Sequence, residues 1–278
     1  MMLSNESMRK HCSLRAGGMV ENLFIPNDFD ELSDFLKNNQ QPVLMLGLGS
    51  NLLVRDSGFA GTAIKLTKFN KLQFQDGIMS AGAGVTLAKL ARFCQEKGLK
   101  GAEFLSAIPG SVGGALAMNA GAFDAEIWSF VKSVSTINTA GEVFIRDKSA
   151  FEIGYRSVKA HTKNEFFIKA DLYFANNNAK QNIKDLLKKR NNSQPIGLAN
   201  CGSVFKNPKG SYAAELIEKS GLKGFCIGGA CVSDKHTNFI INQNNASSDD
   251  IEKLIKHIQH TVQANFDIEL ETEVVIIG

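Results

Sequence analysis

The chain has 278 residues, 44% of them apolar, and a formal net charge of +3 from 31 basic and 28 acidic residues. This length suffices for two or three compact units, because single hydrophobic cores stop growing near ~250–300 residues. The weak and scattered charge argues against nucleic-acid binding but leaves room for small anionic ligands. Charges interrupt residues 1–18, and no run of ~20 apolar residues occurs, so we expect no signal peptide, no membrane span and a cytoplasmic location.

The cysteines give no sign of a disulfide framework or a structural zinc site. Their number is odd and no two of them form a C-x-x-C pair, which argues against both kinds of site. His257 and His260 lie off the apolar stripe of the last predicted helix with no carboxylate ligand nearby, so metal binding is not expected. We expect all five cysteines to be reduced: Cys12, Cys94, Cys201, Cys226 and Cys231.

The first part of the chain is predicted to alternate helix and strands around a glycine turn. Asn27 or Asp28 can cap a helix with apolar residues at 29, 32, 35 and 36, and Glu31 can complete its capping box. Strands are predicted at 43–46, 52–54 and 62–66, with the turn GLGSN between the first two. A Rossmann site needs a helix directly after its glycines. No amphipathic helix follows here, so we do not expect that fold.

The remainder of the chain is predicted to form an antiparallel sheet followed by a small α+β module. Thr86 caps a predicted helix that ends at Gly98, and strands are predicted at 131–137, 141–146 and 166–174. A helix at 180–190 leads into the polar, proline-containing residues 191–200, which suit a domain boundary. Beyond it we predict helices at 211–220 and 248–266, strands near Val232 and at 239–241, and a closing strand in ELETEVVIIG.

Two glycine-rich segments are the candidate ligand-binding elements. Residues 108–123, IPGSVGGALAMNAGAF, hold four glycines and no charge, although glycine inside an element costs roughly 0.5–1 kcal/mol relative to alanine. Close approach of the backbone to a large flat ligand would explain them, and a tightly packed core turn is the plainer alternative. In GLGSN, Gly47 and Gly49 can take positive φ so that the amides of 49–51 form an anion-binding nest. Neither segment ends with the lysine and Ser/Thr of a P-loop, so neither is predicted to bind a nucleoside triphosphate. The two segments together suggest a ligand that has both a pyrophosphate and a broad ring system, which flavin adenine dinucleotide (FAD) would satisfy.

Three polar residues are candidates for the chemistry. Arg156, Ser203 and Glu273 are each flanked by residues that would fix them. Strand alternation puts Glu273 on the face of Val275 and Ile277, which favours a partly buried carboxylate. Each has a plainer alternative: a surface ion pair for Arg156, a turn hydroxyl for Ser203 and a solvated strand end for Glu273.

Seven ordered segments resemble the UDP-N-acetylenolpyruvoylglucosamine reductase (MurB) family along nearly the whole chain. They are SLRAGG (13–18), GLGSNLLV (47–54), GAEFLSAIPGSVGGALAMNAGAF (101–123), GYRS (154–157), GSVFKNP (202–208), VSDKHTNFIIN (232–242) and ETEV (271–274). The resemblance implies an α+β fold, with a two-part FAD-binding region of the vanillyl-alcohol-oxidase/MurB type and a small α+β substrate-binding domain. The FAD-binding subdomains would span 1–67 and 68–190, with strand 270–278 returning to the first, and the substrate-binding domain would span 191–269. The chain has no room for an extra tyrosine-bearing loop, so it resembles the compact branch of the family.

The resemblance also implies an activity. Bound FAD would take hydride from NADPH and reduce the enolpyruvyl ether of UDP-N-acetylglucosamine enolpyruvate to UDP-N-acetylmuramate, a step of peptidoglycan synthesis. Arg156 and Glu273 would bind and polarise the substrate carboxylate, and Ser203 would protonate the adjacent carbon. The implied FAD contacts are Gly47, Gly49, Ser50, Asn51, Leu52, Ile108, Pro109, Gly110, Gly113, Gly114, Asn119 and Gly121. The implied substrate contacts are Tyr155, Lys206, Asn207 and Asn238. No metal, nucleic acid, membrane insertion or obligate protein partner is expected.

Two other functions stay open at this point. An FAD oxidase or dehydrogenase acting on a small alcohol or sugar would share the fold, but it would not need the segment GSVFKNP. Such enzymes commonly attach flavin through a histidine or cysteine, for which we find no counterpart here. A non-catalytic nucleotide-sugar binding protein would have no use for a proton donor such as Ser203.

Overall fold

The computed structural model describes residues 1–176 and 182–278, and the chain divides by its contacts into two units. Unit 1 comprises Met1–Leu3, Leu23–Leu48 and Thr62–Arg190, and unit 2 comprises Ser4–Asn22, Gly49–Gly61 and Asn191–Gly278. The GLGSN turn is therefore divided between the units. The three-domain division expected from the sequence stays a prediction.

The helices and strands of the described residues follow in chain order. The α-helices are α1 (Phe29–Asn38), α2 (Leu87–Glu96), α3 (Val112–Met118), α4 (Ile183–Ser193), α5 (Ala213–Lys219) and α6 (Ser248–Phe266). The strands up to the middle of the chain are β1 (Met2–Ser7), β2 (Met19–Phe24), β3 (Val43–Leu46), β4 (Leu52–Val54), β5 (Phe59–Lys65), β6 (Leu72–Gln75), β7 (Ile78–Gly82), β8 (Leu99–Lys100), β9 (Gly121–Ala122) and β10 (Ala125–Glu126). The later strands are β11 (Val131–Asn138), β12 (Val143–Arg146), β13 (Phe151–Gly154), β14 (Ser157–Ala160), β15 (Glu165–Leu172), β16 (Ala175–Asn176), β17 (Cys226–Ile227), β18 (Ala230–Val232), β19 (Ile240–Asn242) and β20 (Val275–Ile277). The predicted α+β class is confirmed. The first two residues of the helix predicted at 180–190 lie outside the described residues.

Unit 1 contains an antiparallel sheet of five strands in the order β12-β11-β15-β7-β6. It includes the three strands predicted from the second part of the sequence, with β11 paired to both β12 and β15. Helix α2 contributes Leu87 and Leu90 to the core that also holds Met79 of β7. Thr86 caps α2 by accepting a hydrogen bond from the Lys89 amide, as predicted. The sheet and α2 therefore form one hydrophobic core.

A second cluster in unit 1 forms around α1 and the parallel pair β3 and β5. Asp28 is the cap of α1, because its carboxylate accepts from the Glu31 amide at 2.9 Å. The Glu31 carboxylate accepts from the Asn27 amide at 2.7 Å. Leu32 and Leu36 of α1 are buried with Ile64 of β5 in this cluster, as the apolar spacing predicts.

Unit 2 contains the antiparallel sheet β17-β18-β19 together with α5 and α6. Helix α6 spans the predicted residues and begins with a capping box between Ser247 and Asp250. Its Leu254 and Ile258 are buried in a core that includes Phe205. The closing strand β20 is shorter than predicted and pairs in parallel with β4, with Val275 opposite Leu52.

The prediction that all five cysteines are reduced is wrong for two of them. Cys226 and Cys231 form a disulfide. They lie directly opposite each other in the β17–β18 hairpin. This pairing depends on the register of the two strands, which the cysteine spacing alone does not reveal. Cys12, Cys94 and Cys201 are buried and are not disulfide-bonded.

Candidate active site

A cavity of about 340 Å³ lies within unit 1, at the N-terminal end of α3. Its walls combine small residues from the glycine-rich segment with aliphatic and aromatic side chains. They include Met45, Leu46, Gly47, Ser111, Gly113, Gly114, Ala117, Phe151, Val158, Glu165, Phe166 and Phe167. Of the residues predicted to contact FAD, Gly47, Gly113 and Gly114 line this cavity. A mainly apolar cavity with a few polar groups is the usual form of a cofactor site.

The glycines at the cavity are needed for space. A Cβ atom on Gly47 would lie 2.6 Å from the Ser111 hydroxyl oxygen, and a Cβ on Gly113 would lie 2.9 Å from the Cβ of Ala83. The expectation of positive φ holds for Gly49, at +65°, but is wrong for Gly47. Gly47 is instead required because it lies close to Ser111. The predicted anion nest at 49–51 stays a prediction.

Ser111 is a cavity residue that the sequence analysis did not select. It precedes α3 at the N-cap position, yet its side chain makes no capping hydrogen bond. Its hydroxyl oxygen is buried and has no hydrogen-bond partner among the described residues. Buried polar atoms nearly always have a partner, so this hydroxyl is suited to a ligand atom. A serine at the start of an uncharged, glycine-rich helix was the available sequence signal.

A carboxylate also lines the cavity. The Glu165 side chain is only 4% exposed, and it accepts hydrogen bonds from the Arg146 guanidinium at 2.5 Å and from the Thr136 hydroxyl at 2.6 Å. The hydrogen bond from Arg146 is the largest cause that lowers the pKa of Glu165. The carboxylate is therefore held in its charged form at the cavity wall. The sequence analysis did not select Glu165.

Arg156 lies in the two-residue turn between β13 and β14, also in unit 1. Its φ of +51° is uncommon for a residue with a side chain. The guanidinium donates to the carbonyl of Gly121 at 2.6 Å and to that of Asn119 at 3.3 Å, and it lies 5.1 Å from the centre of the Tyr155 ring. Its side chain is 16% exposed. The guanidinium also lies 3.9 Å from the Glu126 carboxylate, so Arg156 is held by several partners within unit 1 and the ion-pair alternative stays open.

Asn119 and Gly121, which were predicted to contact FAD, do not line the cavity. Asn119 ends α3 in the left-handed conformation and is buried. Its side-chain amide donates to the Glu126 carboxylate at 2.8 Å and to the backbone carbonyl of Gly154 at 3.0 Å. A Cβ on Gly121 would lie 3.1 Å from the Arg156 guanidinium. Both residues therefore support the turn that carries Arg156.

Ser203 and Glu273 are brought together within unit 2. Ser203 is half-buried and precedes Val204, whose carbonyl accepts a hydrogen bond from the Glu273 amide at 2.8 Å. Glu273 lies before β20, and Val275 of that strand is 50% exposed. The strand-alternation argument for Glu273 is therefore wrong. Glu273 is half-buried, and its backbone is held by the hydrogen bond to Val204.

Asn51 supports Glu273 from the other side of the same segment. Its side-chain amide donates to the backbone carbonyl of Glu273 at 3.0 Å, and its backbone carbonyl accepts from the Val275 amide at 3.1 Å. Leu52, the next residue, is buried and opposite Val275 in the β20–β4 pair. The GLGSN turn thus contributes to the position of Glu273.

The predicted substrate contacts in unit 2 already have partners within the chain. The Lys206 ammonium lies 2.5 Å from the Glu271 carboxylate, and the Asn207 side chain accepts from the Ala213 amide at the start of α5 at 3.1 Å. Asn238 is buried and bonds to the backbone of Phe205. Their role in substrate binding stays a prediction.

Comparisons with known proteins cover nearly the whole chain. Residues 21–145 match the family described as FAD binding domain, and residues 194–277 match the one described as UDP-N-acetylenolpyruvoylglucosamine reductase, C-terminal domain. A UDP-N-acetylenolpyruvoylglucosamine reductase from Coxiella burnetii is 46% identical over 100% of this chain and 96% of its own. The chain belongs to the UDP-N-acetylenolpyruvoylglucosamine reductase family.

Two further relatives of this family agree. A UDP-N-acetylenolpyruvoylglucosamine reductase from Methylococcus capsulatus is 45% identical over 99% of this chain and 93% of its own. The crystal structure of UDP-N-acetylenolpyruvylglucosamine reductase (MurB) from Thermus caldophilus is similar with a TM-score of 0.83 at 27% identity, covering 100% of this chain and 98% of that one. The resemblance based on the seven sequence segments is confirmed, as is the prediction of a flavin-dependent oxidoreductase.

The residues of unit 1 fit the FAD expected in this family. The fit rests on the partnerless Ser111 hydroxyl and on Gly114, where a Cβ would meet only the Ser111 oxygen, at 3.8 Å. The cavity therefore combines a free polar group with space beside the backbone. The other predicted FAD contacts are not among the residues that line it: Gly49, Ser50, Asn51, Leu52, Ile108, Pro109, Gly110, Asn119 and Gly121.

Three further observations concern residues outside the cavity. Burial raises the pKa of the Cys201 thiol to about 12, so this thiol is neutral and unreactive. Among the described residues, no three histidine, cysteine or acidic side chains come together in a way that could hold a metal ion. In residues 1–176 and 182–278, every helix is too short or too polar to cross a membrane.

Proposed function

We propose that this chain is the FAD-containing, NADPH-dependent enzyme that reduces UDP-N-acetylglucosamine enolpyruvate to UDP-N-acetylmuramate, a precursor of peptidoglycan. The observation that carries the proposal is the backbone pairing of Val204 with Glu273. There the Glu273 amide donates to the carbonyl of Val204, the residue directly after Ser203, at 2.8 Å. A proton donor and a carboxylate held this closely suit a reductase better than a binding protein.

Unit 1 would hold the cofactor. Bound FAD supplies the hydride chemistry, taking hydride from NADPH and delivering it to the terminal carbon of the enolpyruvyl group. Gly47, Gly113 and Gly114 leave space for it along the cavity wall. The Ser111 hydroxyl would donate its hydrogen bond to an oxygen of the cofactor.

Arg156 would stabilise the negative charge that hydride addition creates on the substrate. Addition to one carbon of the enolpyruvyl double bond leaves an electron pair on the other, and that charge spreads onto the substrate carboxylate. Two donors of the guanidinium are already aligned by the carbonyls of Asn119 and Gly121. Preorganised groups of this kind usually make the largest contribution to catalysis. Glu273 would help polarise the same carboxylate.

Ser203 would complete the reduction by donating its hydroxyl proton to the carbon that carries the electron pair. Hydride and proton together saturate the double bond, so the enolpyruvyl ether becomes a lactyl ether. Serine is a weak acid, but the carbanionic intermediate is a strong base, so the transfer needs no unusual serine. Tyr155, Lys206 and Asn207 would contact polar groups of the UDP-sugar.

The decisive test is an assay of NADPH oxidation with and without UDP-N-acetylglucosamine enolpyruvate, using purified protein. We expect a flavin absorption spectrum, and NADPH oxidation that depends on the UDP-sugar and yields UDP-N-acetylmuramate. Oxidation independent of that substrate would favour an oxidase of small alcohols or sugars. Protein that binds the UDP-sugar without any flavin spectrum would favour a binding protein.

We place the enzyme in the cytoplasm, where NADPH and nucleotide-sugars are made, and we assign it no obligate protein or nucleic-acid partner. Fractionation of cells and analytical ultracentrifugation of the purified protein test these two statements. Recovery with the membrane or in a stable complex with another protein would contradict them.

A further inference from the structure

Asn238 forms three hydrogen bonds with the short segment Val204–Phe205 of unit 2. Its side chain is buried, with the residue 3% exposed. Its carboxamide oxygen accepts from the Phe205 amide at 3.0 Å, and its carboxamide nitrogen donates to the Phe205 carbonyl at 2.9 Å. Its own backbone carbonyl accepts from the Val204 amide at 2.9 Å. The carboxamide therefore has both of its ends committed to the backbone of Phe205.

On their opposite edge, residues 204–206 are bonded to residues 271–274, which lie just before β20. The Val204 carbonyl accepts from the Glu273 amide at 2.8 Å, and the Lys206 amide donates to the Glu271 carbonyl at 2.9 Å. Phe205 and Thr272 form an isolated antiparallel bridge. Residues 204–206 thus lie between Asn238 on one side and residues 271–274 on the other.

The residues just before Ser203 are fixed as well. Gly202 has a φ of +81°, and its amide donates to the Asn200 carboxamide at 2.9 Å. The Ser203 backbone therefore has a fixed neighbour on each side. Its position depends on Gly202 before it and on the Asn238-bound pair Val204 and Phe205 after it.

We infer that Asn238 is a positioning residue, which sets where Ser203 and Glu273 stand in unit 2 and does not contact the UDP-sugar. The carboxamide oxygen and nitrogen are each bonded to Phe205, and the residue is only 3% exposed, so very little of the carboxamide is open to the UDP-sugar. Loss of the carboxamide would leave the buried amide and carbonyl of Phe205 without partners, so the segment would shift. The inference rests on the proposed function, because it assigns Ser203 the proton transfer.

The test compares Asn238→Ala with Asn242→Ala in the FAD-loaded enzyme. Asn242 is a matched control because its carboxamide also bonds to backbone groups, the Leu14 carbonyl at 2.9 Å and the Ala246 amide at 2.8 Å. Stopped-flow absorbance separates reduction of the flavin by NADPH from its reoxidation by the UDP-sugar. For Asn238→Ala we expect reoxidation to slow by about 10- to 100-fold, because small displacements of reacting groups have effects of that size. Flavin reduction and the KM for the UDP-sugar should stay within about two-fold of wild type, and Asn242→Ala should show no such split.

A conservative variant gives an independent readout. Asn238→Asp keeps an oxygen that can accept from the Phe205 amide, but only a protonated carboxyl group can donate to the Phe205 carbonyl. We therefore expect its reoxidation rate, relative to that of wild type, to rise as the pH is lowered. A flat ratio across pH, or a raised KM with an unchanged reoxidation rate, would overturn the inference and favour substrate contact. Equal losses in both half-reactions and in both alanine variants would also overturn it, because they would indicate a purely structural role.

Amide hydrogen exchange tests the positioning without using activity. Asn238→Ala should speed exchange at Phe205 and Glu273, whereas Asn242→Ala should leave both amides protected as in wild type. Unchanged exchange at these two amides in Asn238→Ala would contradict the inference even if the enzyme were impaired. A wild-type protein that lacks the UDP-sugar-dependent reaction would instead refute the proposed function, and the exchange result would still decide whether Asn238 fixes this segment.

Discussion

The cavity of unit 1 and the Ser203–Glu273 region of unit 2 differ in how their polar groups are satisfied. At the cavity, the Ser111 hydroxyl has no partner among the described residues, and the space beside Gly114 is open. In the Ser203–Glu273 region, the side chains of Lys206 and Asn238 are already bonded within the protein. The difference indicates two tasks. Under the proposed function, unit 1 would offer groups that the cofactor completes, and unit 2 would hold Ser203 and Glu273 in place before the substrate binds.

Replacement of Ser203 by alanine should have the largest effect, if unit 2 provides the proton. We expect reoxidation of the flavin by the UDP-sugar to fall by ~10²–10⁴-fold, the range of general acid catalysis. Reduction of the flavin by NADPH should be unchanged, and stopped-flow absorbance measures both steps. Ser220→Ala is the matched control, because the Ser220 hydroxyl has no hydrogen-bond partner among the described residues. Undiminished turnover in Ser203→Ala would break the proposed division of tasks.

Gly47→Ala should weaken FAD binding, if unit 1 provides the cofactor site. The new Cβ would lie 2.6 Å from the Ser111 hydroxyl oxygen, so the serine has to move or the cavity has to change shape. Overpacking of this kind costs about 1–3 kcal/mol, so we expect the Kd for FAD to rise by about ten-fold or more. Flavin fluorescence during titration of the apoprotein measures it. Gly77→Ala is the control outside the cavity: its φ of +77° makes alanine strained there, but the new Cβ would contact nothing within 4 Å. Equal FAD affinity in the two variants would show that the cavity is not the cofactor site.

Glu271→Gln should improve substrate binding, because it releases Lys206 from its ion pair. The carboxylate is 73% exposed and lies 2.5 Å from the ammonium, whose side chain is 20% exposed. An exposed pair is worth at most about 1 kcal/mol, so we expect the KM for the UDP-sugar to fall by about two- to five-fold at low salt. The change should diminish at high salt because ions screen the interaction. Glu269→Gln removes a neighbouring exposed carboxylate and should leave the KM unchanged. A KM that does not respond to Glu271→Gln would place Lys206 outside the substrate site.

The smallest expected effect concerns the free energy of unfolding and its dependence on pH through Glu252 of unit 2. Hydrogen bonds from Arg55 and then Lys256 lower the pKa of Glu252 to about 2. Because the folded pKa lies below the unfolded value of about 4.3, the pair stabilises the protein fully above that value, and the contribution is lost as the pH falls towards 2. We expect Glu252→Gln to lower the free energy of unfolding by about 1 kcal/mol at neutral pH and by less at pH 3, since Arg55 is 43% exposed.

Urea unfolding at several pH values measures this difference. Glu218→Gln is the control, because it breaks an exposed ion pair with Lys223 in which Glu218 is 56% exposed. A pH-independent difference between wild type and Glu252→Gln would contradict the assignment of the low pKa to the Arg55 pair.

The sequence predicted the elements whose signals are local. Helix α6 has its cap, its acidic first turn and its apolar stripe within one stretch of chain, and the predicted bounds are confirmed. The strand, glycine turn and strand around GLGSN were predicted for the same reason. Arg156, Ser203 and Glu273 came from short segments shared with the family, which need no knowledge of the fold.

The features that the sequence did not predict depend on contacts between distant segments. The disulfide of Cys226 and Cys231 follows from a hairpin register that five residues of separation do not specify. The need for glycine at position 47 comes from Ser111, which is distant in sequence. The backbone of Glu273 is positioned by a hydrogen bond to Val204, which is distant in sequence. Local periodicity carries no information about any of these contacts.

The partnerless hydroxyl of Ser111 links the stability of this enzyme to the supply of its cofactor. Loss of a hydrogen-bond partner from a buried polar group costs about 1–3 kcal/mol, so a cofactor atom that accepts from this hydroxyl would stabilise the folded protein. Ligand binding to the folded state alone raises stability with ligand concentration. The melting temperature should therefore increase with added FAD, and a cell short of flavin would lose this protein to unfolding and proteolysis as well as losing its activity.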